Sequence, residues 1–198
     1  IGADFVEDPS DLAEWESRIT PQTRLLFGES IPNPKNDVLD VPGLAEVAHR
    51  HGLPLAIDNT VATPYLFRPL DFGADIVTYS TSKLLTGHGA SLGGAVVFGD
   101  GFDWWSYAEK FPQYATPAHG TQGPSWVEAH GSGAVTAFTR DTVAMRFGPT
   151  QSPWHAFLLN QGLETLSLRP ARHSETPVAV ARWLEQRPEV VRVDYPGL

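Results

Sequence analysis

The stretch LPLAIDNTVATPYLFRPLDFGADIVTYSTSKLLTGHGASLGG, Leu53–Gly94, decides the fold. Leu53–Ile57 and Ala74–Tyr79 are apolar runs of strand length, and Leu92–Phe98, which begins as the stretch ends, is a third. The runs are continuous rather than alternating, the pattern of strands covered on both faces of a parallel sheet. Just upstream, Asp40–His51 reads as a helix: Asp40 is placed to cap it, Leu44, Val47 and Ala48 share one face, and Gly52 ends it. Further out, Thr23–Phe27 is a β-prone run ending at Gly28, Asp8–Ile19 reads as a helix with Pro9 in its first turn, and Gly2–Val6 fits another strand. Strands alternating with helices predict an α/β fold, three layers α/β/α around a mostly parallel sheet.

The C-terminal half has a different character. Phe102–Trp126 is rich in aromatics, Pro and Gly and reads as a loop-rich insertion. Trp126–Arg146, weakened by Gly131 and Gly133, and Trp154–Leu168 have helical patterning, Pro177–Gln186 reads as a shorter helix, and Val190–Val193 as the start of a strand. The 198 residues carry 14 Lys+Arg against 23 Asp+Glu, a formal net charge of -9 with no basic run, which argues against a nucleic-acid or anionic-membrane surface. No apolar stretch approaches the ~20 residues that span a bilayer. With no cysteine, disulfide scaffolds and thiolate metal sites are excluded, and a reducing cytoplasm is the expected location. The opening IGADFVEDPSD is acidic, unlike a signal peptide, and has no initiator methionine, the one Met being Met145; it reads as the interior of a longer protein.

Ligands of α/β sheets gather beyond the carboxyl ends of the strands. Three polar clusters fall at such ends: Glu29–Pro34 (ESIPNP), Asp58-Asn59-Thr60, and Ser80-Thr81-Ser82-Lys83. Of the three lysines, Lys35, Lys83 and Lys110, Lys83 alone follows a buried strand directly and precedes a Gly-rich segment. A lysine at the border of an apolar interior is able to serve as a nucleophile toward an aldehyde; a solvated lysine at a strand end fits the position equally well. Ser80 and Ser82, two apart, point the same way if the chain is extended, and beside a lysine and flexible glycines they suit a phosphate. Turn formation accounts for either serine alone. Asp58 closes Leu-Ala-Ile-Asp, where a carboxylate is able to keep a pyridine nitrogen protonated and make such a ring an electron sink. At ~3 Å and an effective dielectric of ~20 the gross attraction is about 5 kcal/mol. An Asx turn or a cap is the plainer role for an isolated Asp.

Two other patterns lead elsewhere. The seven histidines include His49 and His51, which two apart on a helix face different ways, and without Cys or a His-Glu-x-x-His pattern no metal site is expected. Tyr79-Ser-Thr-Ser-Lys83 matches the Tyr-x-x-x-Lys pair of short-chain dehydrogenases, but that pair needs a helix, and Tyr79 ends a strand-like run.

Taken together, ESIPNP (Glu29–Pro34), IDNTVATPYLFRPLDFGADIV (Ile57–Val77), YSTSKLLTGHGASLGG (Tyr79–Gly94) and LLNQGLETLSLRPARH (Leu158–His173) closely resemble the Cys/Met-metabolism family of fold-type I pyridoxal-phosphate enzymes. Within it the chain looks most like the O-acetylhomoserine sulfhydrylase branch, through the aromatic insertion Gly101–Tyr114 and Ser152–Arg169, SPWHAFLLNQGLETLSLR; related γ-synthases and lyases are more compact after the Gly-Gly segment. The resemblance implies pyridoxal 5'-phosphate as cofactor, held covalently by Lys83, which also shuttles protons. By the same resemblance Asp58 pairs with the pyridine nitrogen, Thr60 lies against the cofactor, Ser80 and Ser82 bind the phosphate, and Asn33 stands near the ring oxygen and the substrate carboxylate. The family usually has Thr where this chain has Ser82, a change that keeps the hydroxyl. Glu29 and Arg169 are taken as structural.

The implied reaction is γ-replacement, O-acetyl-L-homoserine plus sulfide (or methanethiol) giving homocysteine and acetate in methionine biosynthesis. Cystathionine synthesis or γ-elimination on the same scaffold, and a non-catalytic polypeptide, are the alternatives. The resemblance further implies a cytoplasmic homodimer or homotetramer and a large domain truncated at both ends: residues 1–155 the remainder of the cofactor-binding domain, residues 156–198 a connecting helix and the beginning of a small C-terminal domain. An upstream Gly-rich phosphate turn, a stacking tyrosine, a Tyr/Arg pair from a neighbouring subunit and a C-terminal arginine for the substrate carboxylate would lie outside these residues. By this reading the 198 residues alone are inactive and poorly folded.

Overall fold

A computed structural model describes residues 2–117 and 122–198. Its centre is a four-stranded sheet with strands in the order of the chain: β1 (Leu26–Glu29), β2 (Leu55–Asp58), β3 (Ile76–Ser80) and β4 (Gly94–Phe98). β1, β2 and β3 are parallel, and β4 returns antiparallel to β3. The expected mostly parallel α/β sheet is therefore present.

Paired residues share a face, so Gly28, Ile57, Val77 and Val97 form one row across the sheet. That face packs on α1 (Leu12–Ser17) and α2 (Val41–Arg50), burying Leu44, Val47, Leu55, Ile57 and Val77 in the main core, with Leu12 and Trp15 against it. The local sequence explains α2 well. Asp40 accepts a hydrogen bond from Gly43 N–H at 3.0 Å, Pro42 sits in the first turn where its missing N–H costs nothing, and Val41, Leu44, Ala45, Val47 and Ala48 are buried at helical spacing. Gly52 then turns the chain with φ +61°, a conformation open to glycine at little cost.

Several sequence expectations shift. Gly2–Val6 is irregular rather than a strand, the first helix is only Leu12–Ser17 with Asp11 as its cap, and β1 starts at Leu26 and runs to Glu29. Leu92–Phe98 was expected to be interior, yet Val96 is 54% exposed and Leu92 80%. As the last strand in the sheet β4 has one neighbour; Val96 and Val97 are exposed, while Phe98 packs against a second hydrophobic core. Val190–Val193 forms no strand.

The expected insertion Phe102–Trp126, of which residues 118–121 lie outside the described residues, is not simply loop. Phe102, Trp104 and Phe111 build a second core with Tyr107 and Tyr114 around edge-to-face ring contacts 4.6–5.9 Å between centroids. Burial there pushes the Tyr114 hydroxyl's pKa up. A short helix α3 (Thr63–Leu66) lies between β2 and β3, and another, α4 (Pro112–Ala115), lies within the aromatic segment.

The expected helix Trp126–Arg146 is broken into α5 (Trp126–His130), α6 (Ala134–Phe138) and α7 (Met145–Phe147), with 3₁₀ and π segments between, the first break falling on Gly131-Ser-Gly133. α8 (Pro153–Leu163) ends earlier than expected. α9 (Arg169–Glu185) is longer, running through Pro177, where the sequence predicts a helix start. A proline removes one backbone donor, and the helix pays that cost once and continues.

No helix among the described residues is long and apolar enough to cross a membrane.

Candidate active site

The register places Glu29 beside Asp58 and Asp58 beside Thr78, so β1, β2 and β3 end along one edge. Their loops are stitched together there. Ser30 N–H donates to the Asp58 carbonyl (2.9 Å) and Asn59 N–H to the Thr78 carbonyl (2.9 Å), each extending the parallel ladder by one step. Thr60 links two clusters: its N–H donates to Asp58 Oδ1 at 2.8 Å, and its hydroxyl accepts from Ser80 N–H at 2.7 Å. The three polar clusters that the sequence placed at strand ends do converge.

Asn59, fully buried, is the hub beneath them. Its Oδ1 accepts from the Ser30 hydroxyl (2.7 Å), and its Nδ2 donates to the carbonyls of Phe67 (2.7 Å) and Thr63 (3.1 Å), with the Tyr79 hydroxyl at 3.3 Å. An asparagine is needed for this: one acceptor and two donors on a flat amide match one hydroxyl and two carbonyls. Tyr79 thus belongs to the Asn59 network on β3, and the Tyr-x-x-x-Lys pattern lies on a strand followed by a turn, not on a helix.

After Ser80 the chain does not stay extended. Thr81–Leu85 winds into a π-turn in which Thr86 N–H and Thr86 Oγ1 both donate to the Thr81 carbonyl, at 3.1 and 2.6 Å. Ser80 and Ser82 are both half-buried, but the same-side geometry of an extended chain does not hold. Ser82 instead exchanges hydrogen bonds with Gly93, its hydroxyl accepting from Gly93 N–H (2.9 Å) and donating to Gly93 O (3.3 Å). β4 is antiparallel, so its leading Gly-Gly arrives at the same edge.

Lys83 departs from helical geometry inside the turn (φ -93°, ψ -127°) and is exposed; among the described residues its amine makes no hydrogen bond or ion pair. Asn33 is exposed too, and its recorded contact is through the backbone, N–H to Glu29 Oε2 at 3.4 Å. The structure therefore brings Asp58, Thr60, Ser80, Ser82 and Lys83 together along one edge, with Asn33 on the neighbouring loop. Sequence reasoning missed Asn59 and Ser30. The detectable signal was a polar triplet directly after a run buried on both faces, where a middle residue has to be satisfied internally.

The donor set suits a phosphorylated aromatic aldehyde. Among the described residues the Lys83 amine is unpaired, and Asp58 has one oxygen on its own turn and the other without a partner. The Ser80 hydroxyl has no recorded partner among the described residues. At the Gly93 end the buried Thr81 hydroxyl and Gln151 amide nitrogen also lack partners, and a Cβ on Gly93 would sit 2.6 and 3.2 Å from them. The edge is therefore polar and closely cradled where an anion has to be held.

Comparison with known proteins agrees with this chemistry. Residues 1–198 match the family described as "Cys/Met metabolism PLP-dependent enzyme". The homocysteine/cysteine synthase of Saccharomyces cerevisiae is 43% identical over 100% of this chain and 45% of its own length. The O-acetyl-L-homoserine sulfhydrylase of Corynebacterium glutamicum is 41% identical over 100% of this chain and 46% of its own. A crystal structure of a Campylobacter jejuni protein described as an O-acetylhomoserine (thiol)-lyase, solved with N'-pyridoxyl-lysine-5'-monophosphate, superposes with a TM-score of 0.89 at 31% identity, covering 96% of this chain and 47% of that one. The chain thus spans about half the length of the relatives it matches. Matched along its whole length, it belongs to the Cys/Met-metabolism family of enzymes that depend on pyridoxal phosphate.

Proposed function

We propose that this chain carries the cofactor-binding edge of an enzyme that converts O-acetyl-L-homoserine and sulfide to homocysteine and acetate. The observation that carries the reading is the interlocked edge itself, in which the Thr60 bridge ties Asp58 to Ser80 three residues before Lys83. The names of the yeast and Corynebacterium relatives support the substrate and the product.

Lys83 would hold pyridoxal phosphate covalently, Asp58 its ring nitrogen, Ser80 and Ser82 its phosphate, with Thr60 against the ring and Asn33 toward the ring oxygen and the substrate carboxylate. When bound, the cofactor supplies an electron sink for charge developing at the substrate's α-carbon. The protein's part is placement. Asp58, an anion fixed by its own turn, keeps a proton on the ring nitrogen. When not bonded to the cofactor, Lys83 Nζ would move the substrate's α-proton and then a β-proton. Acetate is a good leaving group, so positioning and charge stabilisation make up most of the catalysis. Ser82 would keep accepting from Gly93 N–H and turn its single O–H, which here reaches the Gly93 carbonyl at 3.3 Å, toward the phosphate.

The proposal keeps residues 1–155 in the large domain and residues 156–198 as the connecting helix leading to a small domain. It places the enzyme in the cytoplasm as a homodimer or homotetramer. The test is to load the full-length protein with pyridoxal phosphate, reduce it with borohydride, map the modified peptide, and assay homocysteine from O-acetyl-L-homoserine and sulfide. An adduct on Lys83 with homocysteine formed supports the reading. An adduct on Lys35 or Lys110 overturns the site, and α-ketobutyrate without homocysteine, with sulfide present, overturns the reaction.

A further inference from the structure

Arg169 is distant from Lys83 in sequence and adjacent to its turn in space. Nη1 donates to the Leu84 carbonyl at 2.7 Å, Nη2 to the Gly162 carbonyl at 2.7 Å and to the Leu85 carbonyl at 3.4 Å, and Nε to Thr165 Oγ1 at 3.0 Å. Leu84 and Leu85 directly follow Lys83. Carbonyls at the end of a helical turn have no partner within it, and here one guanidinium supplies donors to both. Its planar, fixed fork reaches two chain segments at once, which an ammonium on a flexible stem does not reproduce.

Two glycines make the approach possible. A Cβ on Gly162 would lie 2.6 Å from the Leu85 carbonyl oxygen and closer still to that of Thr86, and a Cβ on Gly87 would lie 2.6 Å from Arg169 Cζ. The backbone of α8, the first residue of α9 and the Lys83 turn are therefore one close-packed unit. The near end of the turn is already closed by Thr86 on the Thr81 carbonyl, so Arg169 is what holds the far end from outside. Among the described residues no side-chain partner sets the aim of Lys83. Its direction is inherited from the turn.

We propose that Arg169 is a positioning residue for Lys83. By fixing the Leu84 and Leu85 carbonyls it holds the turn so that Nζ approaches the cofactor's aldehyde carbon, and later the substrate proton, along one line. This rests on the assignment of Lys83 as the cofactor lysine. Misaligning a reacting amine without removing it costs rate rather than binding, so the consequence separates from that of the phosphate-holding residues.

The test uses the full-length enzyme, wild type, Arg169→Lys and Arg169→Ala, stripped of cofactor and reloaded. The readouts are the rate at which added pyridoxal phosphate becomes borohydride-trappable on the protein, and kcat and KM per cofactor-loaded site. In both variants the trapping rate and kcat should fall about tenfold or more with KM within about twofold. Millimolar guanidinium, but not an equal concentration of sodium chloride, should restore part of the loss in Arg169→Ala. Trapping rate and kcat per loaded site within twofold of wild type in either variant would overturn the proposal. So would failure of both variants to fold and load, since Arg169 would then be a residue of the fold alone. If the wild-type adduct maps away from Lys83, the underlying assignment fails first and this inference with it; a wild-type adduct on Lys83 beside unaffected variants refutes the inference alone.

Discussion

Asn59 is the sharpest place to perturb the site without touching a group that would meet the cofactor. Its side chain makes three well-formed hydrogen bonds, from the Ser30 hydroxyl and to the Phe67 and Thr63 carbonyls, in a fully buried position. At about 1 kcal/mol net per bond, Asn59→Ala should cost about 3 kcal/mol, and more if the Ser30 hydroxyl and the two carbonyls stay dry and unpaired. Asn59→Asp is the informative companion. It keeps the acceptor for Ser30 but turns two oxygen lone pairs toward the Phe67 and Thr63 carbonyls unless the carboxyl is protonated. Burial and those carbonyls raise the folded-state pKa of the introduced Asp above its unfolded value near 3.9. The sign follows: Asn59→Asp should be nearest to wild type below about pH 4 and lose stability as pH rises toward its raised folded-state pKa. The assay is urea unfolding of wild type and both variants between acidic and neutral pH, with cofactor affinity measured in parallel. A loss below about 1 kcal/mol for Asn59→Ala, or an Asn59→Asp deficit independent of pH, would refute the hub assignment.

Three further outcomes are expected. Lys83→Ala in the full-length enzyme should abolish borohydride-trappable cofactor while leaving some bound non-covalently through its phosphate; an undiminished adduct would show that another lysine carries it. Asp58→Asn preserves the acceptor for Thr60 N–H but removes the charge, so most turnover should be lost with cofactor partly retained, and near-normal kcat would reduce Asp58 to a turn residue. Light scattering of the active enzyme at assay concentration should give a dimer or a pair of dimers, the closed symmetric assemblies that are most common; a fully active monomer would contradict this.

What could be read from the sequence was governed by how locally each feature is encoded. Leu53–Ile57 and Ala74–Tyr79 announce β2 and β3 because strands covered on both faces must be apolar throughout. Asp40 with Leu44, Val47 and Ala48 on one face announces α2 because cap and face are both local. Leu92–Phe98 misled for the complementary reason: an apolar run reports a strand that is able to be buried, not the presence of a partner that buries it. Lys83, Asp58 and Thr60 were legible through their strand ends. The relation of Ser80 to Ser82 was not, because the chain turns between them and the closing Thr86 bonds span five residues. Arg169 was underread because its partners in the Lys83 turn, the Leu84 and Leu85 carbonyls, lie 85 and 84 residues away, yet Gly87 and Gly162 were both visible and mark where two backbones approach.

The antiparallel return of β4 explains how the chemistry and the aromatic insertion coexist. Because β4 runs against β3, its first residues reach the carboxyl edge of β1–β3, where Gly93 engages Ser82, and its last residue, Phe98, leaves at the opposite edge. Phe98 leads straight into the second core, and that core sits at the amino edge: Tyr107 lies against Gly52, Lys110 Nζ donates to the His51 carbonyl, and Trp104 and Phe111 line a cleft with Pro54 and Ile76 at the starts of β2 and β3. A parallel β4 would have put the Gly-Gly segment at the amino edge and left Ser82 without it. One short strand therefore separates two tasks. Changes in the length or composition of the insertion act on the packing of the amino edge, while the Asp58–Thr60–Ser80–Lys83 edge keeps its register through hydrogen bonds that the insertion does not share.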